Sequence, residues 1–481
     1  MLKKREILQK ENSSLKNAVF INAFSRYATI IINIGFSAVL ARILTPEDYG
    51  MTAVMMVFIN FFSLMADMGI GPAIIQNKSL DYEDYDNIYS FSVFLGIILC
   101  LLFIIFSYPM ALFYGNIEFF KMGLILSISL LFNTVNAVPN ALLMKNKLFM
   151  LMGIRTIVIC VLYDAVSLVL AFAGLKYYSI VIGSAVQSFI IFAWNKSSTE
   201  LHFRLRPGLA SMKKVAGFSF FQSAFNTVNY FSKNMDNFLT GKYMGNEMLG
   251  YYDKAYRLMQ YPALAVSGVI TPALHPILSE YQGDSSFVYQ HYIKISRFLM
   301  LAGSFISVYC FASSYEIIHI LYGDRWDLAV PCLRWFSIGM WVQVANGCTG
   351  SFFQSMNKTN YLFITGLANS VLNIAAIIAG VMSGSIETLS MYLGAVSYLC
   401  FLFPFYFLTK KVFRKSIAAS LFSFKKEFMI AVGLVICCIF YPFSAADALS
   451  GMVIKTVYYG AAYLVLLFCT GDMKFLVSMI R

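Results

Sequence analysis

The segment IYSFSVFLGIILCLLFIIFSYPM, residues 88–110, contains no Asp, Glu, Lys, Arg or His. As an α-helix it would be about 34 Å long at 1.5 Å per residue, enough to cross the roughly 30 Å hydrocarbon layer of a bilayer. Similar apolar segments recur along the whole chain and predict transmembrane helices at residues 18–40, 50–72, 88–110, 121–140, 154–174, 178–194, 216–240, 249–272, 296–317, 328–350, 362–382, 388–408, 428–446 and 452–470. The sequence therefore predicts an all-α polytopic membrane protein with about fourteen transmembrane helices.

The composition of the 481-residue chain supports this fold class. Hydrophobic residues make up 59% of the chain and charged residues 12%, whereas a soluble chain carries about 25% charged residues. The nine cysteines lie in apolar segments without a CxxC pattern, and the four histidines are scattered without HExxH. We therefore expect no disulfide framework, no metal site and no cofactor.

Basic residues predict the orientation of the chain in the membrane. If residues 1–17 are cytoplasmic, the alternating spans place most Lys and Arg in inside loops, as the positive-inside rule requires. An even number of spans then makes the C-terminus cytoplasmic as well. The net charge of +12 is thus explained by topology, and no nucleic-acid partner is expected.

The predicted outside loops are all short. Membrane glycosyltransferases and polymerases usually carry a sizeable extracytoplasmic loop or domain with acidic catalytic residues. We therefore expect a protein that moves a substrate across the bilayer and is not an enzyme, with a membrane glycan polymerase or glycosyltransferase as the alternative from another class.

Three short sequence patterns occur in both halves of the chain. The basic residue, the Glu and the Gly of residues 42–50 recur at one constant offset in residues 242–250. Two further pairs follow in the same order: residues 113–116 with 321–324, and residues 144–147 with 356–358. Two parallel repeats of six helices are typical of transporters, with the substrate between the halves. The predicted domains are a cytoplasmic segment 1–17, an N-lobe 18–200, a cytoplasmic linker 201–215, a C-lobe 216–410, and a basic loop with helices 13 and 14 at 411–481.

Charged residues inside the predicted spans are the candidate functional residues, because each costs roughly 2.5–3.5 kcal/mol at a helix centre. The basic candidates for a cationic, substrate-binding cavity are Arg26, Lys233, Lys254 and Arg257. The acidic candidates for ion coupling are Asp67, Asp164 and Asp236. The basic excess indicates an anionic substrate.

Structural roles are the alternative for several of these residues. Asp67 is also consistent with capping or pairing near the inner membrane face. Lys254 and Arg257 lie early in their helix, where long side chains snorkel to the surface. Lys233 and Asp236 are three residues apart, a spacing at which opposite charges neutralise each other.

Three motifs, in chain order, resemble a known family. They are LARILTPEDYG at 40–50, DMGIGPAIIQ at 67–76, and a segment from Asp236 to Pro262 that includes TGKYMG at 240–245 and LGYY at 249–252. Together they resemble the polysaccharide-transporter family of lipopolysaccharide, colanic-acid and teichuronic-acid export proteins. These are Wzx-type flippases of the multidrug/oligosaccharidyl-lipid/polysaccharide superfamily, and the resemblance covers nearly the whole chain.

The resemblance implies two six-helix lobes in a V around a central cavity, with two additional C-terminal helices. It also implies a flippase that moves undecaprenyl-pyrophosphate-linked oligosaccharide from the cytoplasmic to the periplasmic leaflet of the bacterial inner membrane, for synthesis of O-antigen, capsule or exopolysaccharide. Coupling to H⁺ or Na⁺ is a hypothesis at this point. A drug/cation antiporter and a lipid II flippase of the same superfamily are the alternatives within transport. Expected partners are the lipid-linked oligosaccharide, membrane lipid, H⁺ or Na⁺, a polysaccharide polymerase and a chain-length regulator.

Overall fold

The structure is a computed structural model of the chain. It describes residues 15–67, 70–77, 79–206, 208, 211, 230–231, 233–279 and 281–480. Most of the predicted cytoplasmic segment 1–17 and of the predicted seventh span 216–240 lies outside the described residues, and so does the side chain of Asp67.

The described residues form an all-α fold, as predicted. The helices of the first half are α1 (Leu15–Ile43), α2 (Pro46–Asp67), α3 (Ile70–Gln76), α4 (Tyr82–Tyr114), α5 (Glu118–Lys145), α6 (Phe149–Phe172) and α7 (Tyr178–Ser197). The helices of the second half are α8 (Asn246–Ser279), α9 (Ser285–Ala312), α10 (Ser314–Leu321), α11 (Ala329–Asn346), α12 (Thr349–Ser355), α13 (Thr359–Met382), α14 (Ile386–Tyr406), α15 (Ile417–Phe422), α16 (Lys425–Ile439), α17 (Ala448–Thr470) and α18 (Met473–Ile480). The described residues also include a 3₁₀ turn at Asp324–Trp326 and a π-helical turn at Phe407–Val412.

Ten helices within the described ranges are long and apolar enough to cross a membrane. They are Ala23–Ile43, Pro46–Ile75, Tyr82–Tyr114, Glu118–Lys145, Phe149–Phe172, Tyr178–Ser197, Ser285–Ala312, Thr359–Met382, Ile386–Val412 and Ala448–Thr470. Each overlaps a predicted span. The predicted eighth, tenth and thirteenth spans overlap α8, α11 and α16, which are not among these ten. The total of fourteen spans and the cytoplasmic termini therefore remain predictions.

Local sequence signals account for the ends of two long spans. Asp81 and Asp84 form a capping box at the start of α4, which ends at Gly115 with φ of 70°. Asp447 and Ser450 form a second capping box at the start of α17. Such caps satisfy the backbone groups that a helix end leaves without partners. Asp447 precedes the membrane-spanning residues, and the hydrogen bond from the Ser450 side chain holds the pKa of its carboxyl below the usual value.

The chain divides into two compact units, an N-terminal unit (Met1–Glu247) and a C-terminal unit (Met248–Arg481). In the N-terminal unit, α4 packs along α5, α5 and α6 both pack against α7, and α1 packs against α6. In the C-terminal unit, α11 lies between α9 and α14, α13 packs on α14, and α16 joins α9 to α17. The lobe and linker boundaries given above remain predictions.

Two glycines allow helices α11 and α14 of the C-terminal unit to pack closely together. A Cβ atom on Gly394 of α14 would lie 2.5 Å from the carbonyl oxygen of Trp335 on α11. A Cβ on the facing Gly339 would lie 3.1 Å from the carbonyl oxygen of Gly394. Close backbone approach through glycine is how helices gain packing energy in lipid, where hydrophobic burial contributes little. The α11–α14 contact therefore requires glycine at both positions.

Replacement of Gly394 by Ala is expected to destabilise the protein by about 1–3 kcal/mol, because the added methyl group forces α11 and α14 apart. Gly366→Ala is the matched control, since a Cβ atom there would meet nothing within 4 Å, and it should change stability by less than about 1 kcal/mol. Thermal unfolding of the two purified proteins in detergent measures the difference. Equal unfolding temperatures would show that the α11–α14 contact is not tight.

Candidate functional site

Arg26 lies on α1, and its side chain is exposed in the structure. The preceding residue, Ser25, is buried against α6, where a Cβ atom on Gly153 would be 2.6 Å from the Ser25 hydroxyl oxygen. Helices α1 and α6 thus touch at this level, and Arg26 points out of their contact. An exposed guanidinium in a membrane-spanning helix needs water or an anion beside it.

Asp164 lies on α6 and is 4% exposed. The Cys160 sulfur, one turn earlier, lies 3.7 Å from Asp164 Oδ2 and 3.3 Å from Asn33 Oδ1 on α1. The α1–α6 pair therefore holds one candidate of each sign, the exposed Arg26 and the buried Asp164.

Lys233 and Asp236 belong to a helical segment, residues 233–243, of the N-terminal unit. Lys233 is exposed, whereas Asp236 is 2% exposed and its Oδ1 accepts a hydrogen bond from the Asn237 N–H. The ring of Phe238 on this segment stacks on Phe113 of α4 with centroids 5.7 Å apart. Within this segment Asp236 is therefore buried and Lys233 is accessible.

Lys254 and Arg257 lie on α8, and their environments differ. Lys254 is 2% exposed, with its ammonium 4.9 Å from the Tyr322 ring centroid and 5.9 Å from the Trp326 ring centroid. Aromatic faces attract a cation that has lost its water. Arg257 is exposed, and its Nε lies 2.7 Å from Oδ2 of the buried Asp253. The Arg257 side chain is therefore exposed at the surface of α8, whereas the Lys254 side chain is enclosed by aromatic rings.

A buried ion cluster of the C-terminal unit was missed at the sequence level. Arg297 of α9 lies 2.6 Å (Nε) from Glu427 Oε1 and 2.9 Å (Nη2) from Asp472 Oδ1. The two carboxylate side chains are 0% and 2% exposed. Lys426 adds a fourth charge 3.8 Å from Asp472. Arg297 lies at the start of the predicted span 296–317, and Glu427 and Asp472 lie just outside the predicted spans 428–446 and 452–470, so the sequence alone does not distinguish them from ordinary charges at the ends of spans.

A second ion pair connects the N-terminal half of α17 to α10. Lys455 lies 2.6 Å from Glu316 of α10 and donates a 2.7 Å hydrogen bond to the Ala312 carbonyl oxygen. Positions 455 and 472 are about 25 Å apart along a helix at 1.5 Å per residue, close to the roughly 30 Å hydrocarbon thickness. The two ionic contacts thus lie near opposite ends of the same span and hold α16 and α17 to α9 and α10. Their role is structural.

Loss of Arg297 is expected to destabilise the protein strongly. In Arg297→Ala, two buried carboxylates lose their main counter-charge, which costs about 3–5 kcal/mol. Lys121→Ala removes the exposed Lys121–Glu118 pair and should cost no more than about 1 kcal/mol. Thermal unfolding in detergent distinguishes the two variants. An Arg297→Ala protein as stable as Lys121→Ala would show that Glu427 and Asp472 need no cation.

The fold is similar to that of solved multi-pass membrane transport proteins. It is similar to the lipid II flippase MurJ in an inward closed conformation, with a TM-score of 0.76 and 15% identity over 96% of this chain and 100% of that chain. It is also similar to an inward-facing multidrug resistance MATE family transporter of the MOP superfamily, with a TM-score of 0.60 and 16% identity over 86% of this chain and 99% of that chain. At these identities the similarity shows the fold alone.

Sequence comparison assigns the chain within that fold. Residues 39–331 match the polysaccharide biosynthesis protein family, and the chain belongs to this family. All three motifs quoted above lie within the matched residues, so the resemblance that they indicated is confirmed.

Curated relatives cover about three quarters of the chain. The teichuronic acid biosynthesis protein TuaB of Bacillus subtilis is 25% identical over 78% of each chain. The lipopolysaccharide biosynthesis protein WzxC of Escherichia coli is 24% identical over 76% of this chain and 75% of its own. The succinoglycan biosynthesis transport protein ExoT of Rhizobium meliloti is 20% identical over 75% of this chain and 73% of its own.

Proposed function

We propose that the protein is a flippase for undecaprenyl-pyrophosphate-linked oligosaccharide repeat units, which it moves from the cytoplasmic to the periplasmic leaflet of the bacterial inner membrane. The observation that carries the proposal is that a chain of the polysaccharide biosynthesis family has the fold of a lipid II flippase. The proposed substrate joins a polar glycan to a lipid through a pyrophosphate. Surface polysaccharide assembly is the process that would consume the translocated units, through a polymerase and a chain-length regulator.

The charge distribution suits a substrate of this kind. A pyrophosphate cannot enter hydrocarbon unaided, since an isolated ion costs on the order of 20 kcal/mol by the idealised Born estimate. Cationic side chains along the path offset that cost. Arg26, Lys233 and Arg257 are exposed in the structure, and we propose them as residues that meet the anionic group. Lys254 is enclosed by Tyr322 and Trp326, and it is the fourth residue of the proposed cationic set.

An electrical driving force is available without any coupling ion. Two negative charges that leave an inside-negative cell gain about 4.6 kcal/mol per 100 mV. Coupling to H⁺ or Na⁺ is a further part of the proposal, and Asp164 is its main candidate because it is buried between α1 and α6. Asp67 and Asp236 are the other candidates.

A drug/cation antiporter is the second candidate function, because multidrug transporters share the fold with a TM-score of 0.60. Such a protein needs acidic side chains where its cationic substrate binds. Three of the exposed charges within predicted spans, Arg26, Lys233 and Arg257, are basic. The family match also favours a lipid-linked glycan over a drug.

Removal of the Arg26 charge is expected to slow translocation. Charge-assisted hydrogen bonds contribute about 1.5–3 kcal/mol, so Arg26→Gln should reduce the rate by roughly ten- to a hundredfold. The measurement is leaflet translocation of a fluorescent undecaprenyl-pyrophosphate oligosaccharide in proteoliposomes under an imposed potential. Arg42→Gln is the matched control, because Arg42 is an exposed arginine at the far end of the same helix.

Two results would contradict this part of the proposal. Equal rates for the Arg26→Gln and Arg42→Gln proteins would remove Arg26 from the substrate path. Transport of a cationic dye by the wild-type protein, with no transport of the lipid-linked glycan under any gradient, would favour the antiporter.

Asp164→Asn is expected to abolish the dependence of transport on the ion gradient, because an amide neither takes up a proton nor balances a bound cation. Translocation driven by the membrane potential alone should continue. Initial rates with and without a proton or sodium gradient, at fixed potential, test this. Asp447→Asn, at an exposed cap of α17, is the control. If Asp164→Asn keeps full transport and full ion dependence, Asp164 has no coupling role.

A further inference from the structure

Arg155 is a buried arginine that none of the roles above includes. It lies on α6 and is 8% exposed. Its Nη1 donates a 2.5 Å hydrogen bond to Asn195 Oδ1 of α7 and a 3.3 Å hydrogen bond to Asn140 Oδ1 of α5. Asn195 Nδ2 in turn donates to Asn136 Oδ1 of α5 at 2.7 Å. Helices α5 and α7 thus supply two amides that bond the guanidinium of α6, and a third amide that bonds Asn195.

The partners of Arg155 are neutral. Among the residues that the structure describes, it forms no ion pair, and its two hydrogen bonds both use Nη1. A guanidinium has five N–H donors, so the groups on Nη2 and Nε have no acceptor within the described chain. The amide oxygens replace part of the lost hydration but leave the positive charge uncompensated. A buried charge in this condition attracts an anion.

The position of the cluster matches the level of a lipid phosphate. Asn195 is two residues before the end of α7, and Arg155 is about 9 Å from the start of α6 at 1.5 Å per residue. By the predicted topology both are near the cytoplasmic face.

We propose that Arg155, with its amide cluster of Asn136, Asn140 and Asn195, forms a binding site for the phosphate group of a lipid on the cytoplasmic side of the N-terminal unit. The planar fork of an arginine matches two phosphate oxygens. Two sources supply this chemistry, the pyrophosphate of the lipid-linked substrate and the headgroup of an anionic phospholipid. The assignment to substrate rests on the proposed function, whereas the site itself does not.

The test uses the full-length protein, purified in a nonionic detergent, with inorganic pyrophosphate as the probe. Thermal unfolding is followed over a pyrophosphate titration, with sodium chloride at equal ionic strength as the reference. We expect pyrophosphate to stabilise the wild type, with at least tenfold weaker binding in Arg155→Gln. Lys121→Gln, which alters an exposed cation elsewhere in the same unit, should bind as the wild type does.

Asn195→Asp separates an anion site from a purely structural contact. It places a carboxylate beside Nη1 with little change in shape, so the arginine gains an internal counter-ion. We expect this variant to unfold at or above the wild-type temperature without ligand, and to lose pyrophosphate binding and glycan translocation. A structural role predicts the opposite, namely unchanged pyrophosphate binding and transport in a protein of equal or higher stability.

Undecaprenyl pyrophosphate and phosphatidylglycerol, each in mixed micelles with phosphatidylcholine, identify the source of the phosphate. Competition with pyrophosphate by the first alone assigns the site to substrate, and equal competition by both assigns it to phospholipid headgroups. No stabilisation of the wild type by pyrophosphate, or equal stabilisation of wild type and Arg155→Gln, would overturn the site. A different result would overturn the proposed function and leave the site intact. In that case the wild type binds pyrophosphate and Arg155→Gln and Asn195→Asp lose this binding, but the wild type does not translocate the glycan.

Discussion

The cost of placing a charge in hydrocarbon governs this structure. Each charged side chain within or beside a membrane-spanning helix must find a counter-ion, a ring of polar or aromatic groups, or water. The C-terminal unit uses the first solution for Arg297, which has two carboxylates, and for Lys455, which has one. Lys254 has aromatic rings, and Arg155 has amides. Arg26 and Lys233 remain exposed, and it is these residues that require an aqueous or anionic environment.

The helical fold could be predicted well from sequence because hydropathy reports directly on the bilayer. The predicted span 88–110 lies inside α4, Tyr82–Tyr114, and the predicted span 452–470 lies inside α17, Ala448–Thr470. The extra residues at the start of α4 are mostly polar and directly follow its N-cap, Asp81. Hydropathy predicts the end of a span at the last apolar residue, whereas the helix itself extends to the residue that caps it.

The partners of the charged residues could not be predicted in this way. Arg297 pairs with side chains at positions 427 and 472, and Arg155 with amides at positions 140 and 195. No local pattern connects such positions, because the contacts depend on how the helices pack. The sequence pointed to Arg26 and Asp164 only because each interrupts an apolar segment. Arg155 lies at the beginning of its predicted span, 154–174, where a basic residue is usual. Its position in the sequence therefore gave no indication that it is buried.

The kind of partner decides what a buried cation can still do. Carboxylates beside Arg297 cancel its charge, so that cluster fixes helices and has little attraction left for a ligand. The amides beside Arg155 orient the guanidinium but contribute no net charge, so its attraction for an anion survives burial. A carrier must also release what it binds, which a site with one arginine, partly satisfied by amides, allows more readily than a site with many cations. The neutral side chains around Arg155 thus allow its helix to pack in the bundle while its charge can still bind a phosphate group.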